Sequence, residues 1–131
     1  MEKVAEVIDT RLKGIPESSS IWKAVQTMER LDIRIAPVTR RGRLVWILRK
    51  EEIESFVERE ISVRIVMEDS VSVGKEDSII HAARIMATEG LSRIPVVDDR
   101  KRLRCIGTIA ATDIVRRMER SRGGIKQIKK E

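Results

Sequence analysis

The sequence predicts an α+β protein made of two copies of one unit of about sixty residues, packed sheet to sheet with pseudo-twofold symmetry. Three observations predict it: a chain of 131 residues, an internal repeat, and an alternation of helical and strand periods within each copy. The repeat is direct. Residues 33–38, with Ile33, Arg34 and Pro37, fall on residues 91–96, with Leu91, Ser92 and Pro95, at an offset of 58. The same offset pairs Ser20-Ile21 with Ser78-Ile79, Ala24 with Ala82 and Met28 with Met86. Further on, Glu52-Ile53 matches Asp113-Ile114 at an offset of 61, so the second copy carries three more residues, in the charged stretch 98–102. A hairpin turn tolerates such an insertion at low cost. One copy alone has too little apolar face to be stable, and two copies closing on each other supply the missing half.

The elements follow in order. Ile21, Trp22, Val25, Met28 and Leu31 recur at helical spacing, and Ser18 to Ser20 offer caps at the start. Residues 33–38 and 44–48 are short apolar runs joined by a turn at Arg40-Arg41-Gly42, which predicts two strands of a hairpin. A helix over 51–59 then carries Ile53, Phe56 and Val57. The second copy repeats the order, with Ile79, Ala82, Ala83 and Met86 on a helix, strands at 94–97 and 105–109, and a helix over 112–119 carrying Ile114, Val115 and Met118. Gly123 and Gly124 are expected to end that helix. The division is therefore 1–60 for the first copy, 61–120 for the second and 121–131 for a basic, flexible tail.

Composition narrows the function. The net charge is +6, but residues 116–131 hold seven basic side chains and only two acidic ones, so the rest of the chain is close to neutral. The charge thus describes a solvated tail more than a nucleic-acid-binding body. Asn is absent and charged residues reach 37%, a bias that suits work at high temperature. One cysteine, Cys105, cannot make an intrachain disulfide, and no secretory pattern opens the chain, so a cytoplasmic protein is expected. No apolar run approaches the roughly 20 residues of a membrane span. No enzyme signature is present. The lone His81 lies mid-helix, Cys105 has no activating base nearby in sequence, and the glycines form neither a Walker loop nor a dinucleotide fingerprint. The acidic residues lack metal-ligand spacing.

One residue points to ligand chemistry. Asp113 follows the strand at 105–109 and opens a helix. A carboxylate there can accept two hydrogen bonds from the vicinal hydroxyls of a ribose, or simply complement the helix dipole.

The run Leu91-Ser92-Arg93-Ile94-Pro95-Val96-Val97-Asp98, a turn, and Gly107-Thr108-Ile109-Ala110-Ala111-Thr112-Asp113-Ile114 resembles a cystathionine-β-synthase (CBS) domain. The resemblance covers residues 66–118 and extends to residues 4–59, so the chain resembles a tandem CBS pair, or Bateman module. The resemblance implies β-α-β-β-α repeats, no catalysis, and regulation of another protein through an adenosine-containing ligand (AMP foremost, ATP or S-adenosylmethionine) held between the repeats, with no other cofactor and no metal. It implies a first cleft formed by Asp113, Thr112 and Ala110 with Ile33, Arg34, Pro37, Leu12 and Lys13. A second cleft joins Ile47, Arg49 and Glu52 to Val71, Leu91, Ser92, Arg93 and Pro95. This sequence departs from the family at Ala110, where a Ser or Thr is usual, and at Trp46, Arg49 and Glu52, which replace Gly, Ser/Thr and Asp. Arg34 and Arg93 face phosphates on that reading, or pair with neighbouring carboxylates. Ile33, Leu91 and Ile109 sandwich an adenine or serve as core. The expected partners are an adenine nucleotide, a second copy packed through the outward helices, and a client protein of unknown identity. The alternative is a nucleic-acid-associated protein using Arg40, Arg41, Arg43, Arg100, Lys101, Arg102, Arg104 and the tail, but 2% aromatic residues leave it few stacking platforms.

Overall fold

In a computed structural model, residues 2–54, 63, 68–69 and 71–130 are described, and of residues 121–130 only the course of the backbone. A 3-10 turn at Val4–Glu6 precedes β1 (Ile15–Pro16), α1 (Ile21–Leu31), β2 (Ile35–Arg40), β3 (Arg43–Arg49) and α2 (Lys50–Ile53). After β4 (Glu68–Asp69) the second copy runs β5 (Val73–Gly74), α3 (Ile79–Glu89), β6 (Arg93–Val97), β7 (Cys105–Ala110) and α4 (Ala111–Lys130). The sheets are ordered β1-β2-β3-β4 and β5-β6-β7. This is the mixed α+β architecture expected from the repeat.

The two copies agree in detail. Ser20 and Ser78 cap α1 and α3, each hydroxyl accepting from the backbone N–H three residues on. Both helices end on a left-handed residue, Asp32 and Gly90. β1 pairs parallel with β2 from Ile15↔Val38, and β5 with β6 from Val73↔Val96. Pro37 and Pro95 each sit one residue before that pairing begins, where a missing N–H removes no bond from it. β2 and β3 turn through Arg41 and Gly42, both at positive φ (53° and 81°), the geometry of a type I′ hairpin.

The copies meet on the pseudo-twofold axis. Leu44 N–H donates to Leu103 O at 2.8 Å, and Cys105 N–H donates to Gly42 O at 3.0 Å. These residues are equivalent in pairs at the offset of 61, so the two bonds are one bond seen twice.

Each copy also lends its leading segment to the other. Val4, fully buried, belongs to the apolar core of the second copy beside Val73, Ile79 and Ile94, and its N–H donates to Asp77 O at 2.8 Å. Val63, equally buried, sits in the core of the first copy with Ile21, Met28 and Leu48, and its N–H donates to Ser19 O at 3.1 Å. Asp77 and Ser19 are again equivalents. Likewise β4 lies on the outer edge of β3, while Asp9 bridges to Thr108 on the edge of β7.

Two expectations are corrected. Gly123 and Gly124 do not end the last helix, since α4 continues to Lys130. Glycine costs about 1 kcal/mol per position relative to Ala in a helix but forbids nothing. Met118 is not an outward residue. It packs partly buried against the core of the second copy, while Val115 is 52% exposed. Phe56 and Val57 lie outside the described residues.

Candidate functional site

Both strand-to-helix junctions are fixed by the same backbone bond. Ala111 N–H donates to Ser92 O at 2.9 Å, and Lys50 N–H donates to Arg34 O at 2.8 Å. Each bond sets the first turn of the helix that follows. Asp113 therefore stands on the first turn of α4, two-thirds buried as a side chain, with Oδ1 3.7 Å from Arg116 Nη1. It lines a groove of about 340 Å³ between α4 and the chain at residues 6–9, together with Glu6, Asp9, Arg116, Arg117 and Arg120. Three guanidinium groups here face three carboxylates. Arg117 is engaged with Glu2, Nε to Oε1 at 2.7 Å, which ties α4 to the leading segment.

The floor of this region is organised by Asp9. Arg11 grips its carboxylate through Nε, at 3.0 Å from Oδ1, and Nη2, at 2.7 Å from Oδ2, and also donates through Nη1 to Leu31 O at 2.8 Å. Arg93 Nη1 reaches the same carboxylate at 2.9 Å and the Thr108 hydroxyl at 2.7 Å. These bonds hold the carboxyl of Asp9 down at about 2, the hydrogen bond from Arg11 being the largest cause and burial opposing it. The charge of Asp113 adds to the forces that raise Arg11. The network joins the leading segment, the end of α1 and the sheet of the second copy.

Of the residues expected beside Asp113, Ile33, Pro37 and Ala110 are buried. Thr112 is exposed, and Leu12 packs against the core of the first copy. Lys13 lines a separate cavity at the hairpin turns. Arg34 lies elsewhere again, in a cavity of about 130 Å³ with Ile35, Arg49, Glu51, Gly90 and Ser92. Because Arg34 and Ser92 are repeat equivalents, this small cavity straddles the pseudo-twofold axis. It gathers Arg49 and Ser92 of the second expected set. Ile47, Leu91 and Pro95 are buried, Val71 packs against the second core, and Glu52 is exposed on α2. Arg93 does not join Arg34: its guanidinium is taken by Asp9, the carboxylate pairing that was its other reading.

Asp9 and Arg11 were missed by the sequence reading because they sit in a loop with no periodicity. The available signal was Gly107. A Cβ there would collide with the Asp9 carbonyl oxygen and press on the Ile8 side chain, and a glycine inside a strand marks such a close approach. At the equivalent position Trp46 instead packs against the first core, with its indole N–H buried and unpartnered among the described residues.

Residues 59–120 match the family model of the CBS domain. The second copy is therefore a CBS domain, and the chain as a whole has the fold of a CBS domain pair. Two solved structures carry the second half of that statement. The CBS domain pair of protein MJ0100, in complex with 5′-methylthioadenosine and S-adenosyl-L-methionine, matches with a TM-score of 0.76 at 22% identity, over 92% of this chain and 98% of that one. The CBS domain pair/ACT domain protein TM0892 of Thermotoga maritima matches with a TM-score of 0.77 at 21% identity, over 92% and 98%. In sequence this CBS pair is 29% identical over 119 residues to inosine-5′-monophosphate dehydrogenase of Methanocaldococcus jannaschii, covering 89% of the chain and 24% of that enzyme. It spans 24%, 43% and 23% of the lengths of three curated relatives. Among the described residues no helix is long and apolar enough to cross a membrane, and no group of His, Cys, Asp and Glu is placed to hold a metal ion.

Proposed function

We propose that this CBS pair is a non-catalytic regulatory module that binds an adenosine-containing ligand, AMP foremost, in the groove beside Asp113. The observation that carries the reading is the Asp113 carboxylate on the first turn of α4, at the lip of a groove edged by Arg116 and Arg120. A ribose diol donates two hydrogen bonds to such a carboxylate, and guanidinium groups one helical turn or two away suit a phosphate on the 5′ side. The MJ0100 pair, which shares the fold, is bound to two adenosine derivatives. Ala110 supplies no hydroxyl, which costs on the order of 1 kcal/mol of affinity relative to a Ser or Thr contact.

Binding there alters how the leading segment sits on α4, because the groove is bounded by both. A ligand shifts that balance only by favouring one arrangement over the other. The shift passes to a second copy through the exposed face of α4 at Val115, and from there to a client protein. Calorimetric titration with AMP, ATP and S-adenosylmethionine tests the reading. Two hydrogen bonds to a charged acceptor make Asp113→Ala at least about a hundredfold weaker. Binding of none of the three ligands, or undiminished binding by the variant, overturns it. So does steeply salt-dependent duplex DNA binding in their place.

A further inference from the structure

A concavity larger than the groove at Asp113 lies at the other end of the strands. It measures about 530 Å³ and is lined by Lys13, Thr39, Arg41, Lys75, Asp98 and Arg104, among others. Four cations thus face one carboxylate. Several other basic groups of the body are paired: Lys3 with Glu76, Arg40 with Glu17, Arg93 and Arg11 with Asp9, Arg100 with Asp77. The side chains of Lys13, Arg41, Lys75 and Arg104 have no such partner among the described residues. Like charges gathered around a recess repel one another, and the arrangement is relieved by an anion in the recess.

Two further observations point the same way. Thr39 is more than nine-tenths buried, lines the recess, and its hydroxyl has no hydrogen-bond partner among the described residues. That hydroxyl is not among the fully buried unpartnered atoms, so it stays open to solvent and free to donate to an anion. Arg41 is held at a φ of 53°, the left-handed region that Gly or Asn adopts with least strain. The type I′ turn imposes that conformation, so the root of the Arg41 side chain is fixed beside the recess.

We infer that this recess binds an oligophosphate anion, free or carried by a nucleotide. The site is distinct from the groove at Asp113. Asp113 follows the last residue of β7 and Cys105 is the first, which separates the two by roughly 17 Å along a six-residue strand. The backbone fixes the cations where they stand: Cys105 N–H bonds to Gly42 O, Lys75 N–H to Val97 O and Asp98 N–H to Arg104 O, each at 3.0 Å.

The probe is tripolyphosphate, titrated calorimetrically into the full chain. The variant R41N/R104Q removes two cations and places Asn where left-handed geometry suits it, so folding is retained. As a control for net charge, R30Q/R84Q removes two exposed arginines from α1 and α3. Saturable binding to the parent, undiminished in R30Q/R84Q and in Asp113→Ala and at least about tenfold weaker in R41N/R104Q, is the expected result. ATP binding to Asp113→Ala that is lost on adding R41N/R104Q assigns the anion to a nucleotide, and tripolyphosphate binding without it assigns a free anion. Equal weakening in the two double variants overturns the inference, as does no saturable tripolyphosphate binding. Neither of those results touches the adenosine reading, which Asp113→Ala tests separately.

Discussion

Replacing Asp9 by Asn leaves Arg93 facing a neutral amide in a place where its side chain is only 13% exposed. The worth of the charge follows from the protonation equilibrium. The folded protein holds the Asp9 carboxyl at about 2, against 3.8 for the free group. At about 1.4 kcal/mol per pH unit, this corresponds to about 2 kcal/mol of stability in favour of the charged form. Since the folded value is depressed, the stabilisation is fully present above pH 3.8 and disappears as pH falls through about 2. Asp9→Asn therefore unfolds about 2 kcal/mol more easily at pH 7 than the parent, and the gap narrows toward pH 2. Urea titrations followed by circular dichroism at steps between pH 2 and 7 read it directly. A gap that stays constant across that range would refute the assignment of the effect to the carboxylate charge.

Gly107→Ala drives a methyl group into the Asp9 carbonyl and the Ile8 side chain, so the leading segment must leave the edge of β7. A loss of about 1–3 kcal/mol in thermal unfolding is expected, together with faster hydrogen exchange at the Asp9 and Thr108 amides, which now bond each other's carbonyls at 2.7 and 2.9 Å. The Cys105 thiol is pushed up to about 11 by burial. It should resist thiol reagents at pH 8 in the folded protein and react at once in denaturant; rapid reaction under native conditions would show that strand β7 is open at its start.

The fold was legible because a duplicated sequence supplies its own control. Ile21, Ala24 and Met28 gain weight as core positions once Ile79, Ala82 and Met86 stand at the same offset, and the cap at Ser20 is matched by that at Ser78. Strand and helix periods then needed to be read only once. What escaped was everything that depends on chain crossing between copies. Val4 and Val63 look like unremarkable apolar residues in loops, and nothing local says that each fills the other copy's core. The site suffered for the same reason. Asp113 was found from its place at a helix start, whereas Asp9 and Arg11 act through partners 84 and 20 residues away, Arg93 and Leu31. Arg34 was grouped with Asp113, whereas it lines the small cavity that also holds Ser92.

The crossed leading segments make neither half self-sufficient. During synthesis the first half emerges with a gap where Val63 belongs and with Val4 lacking a socket, so its completion waits on the ribosome's delivery of the second half. A single nick near the middle of the chain would leave two fragments that hold each other. A single copy of the unit would have to find these missing pieces in a twin molecule, as in a swapped dimer.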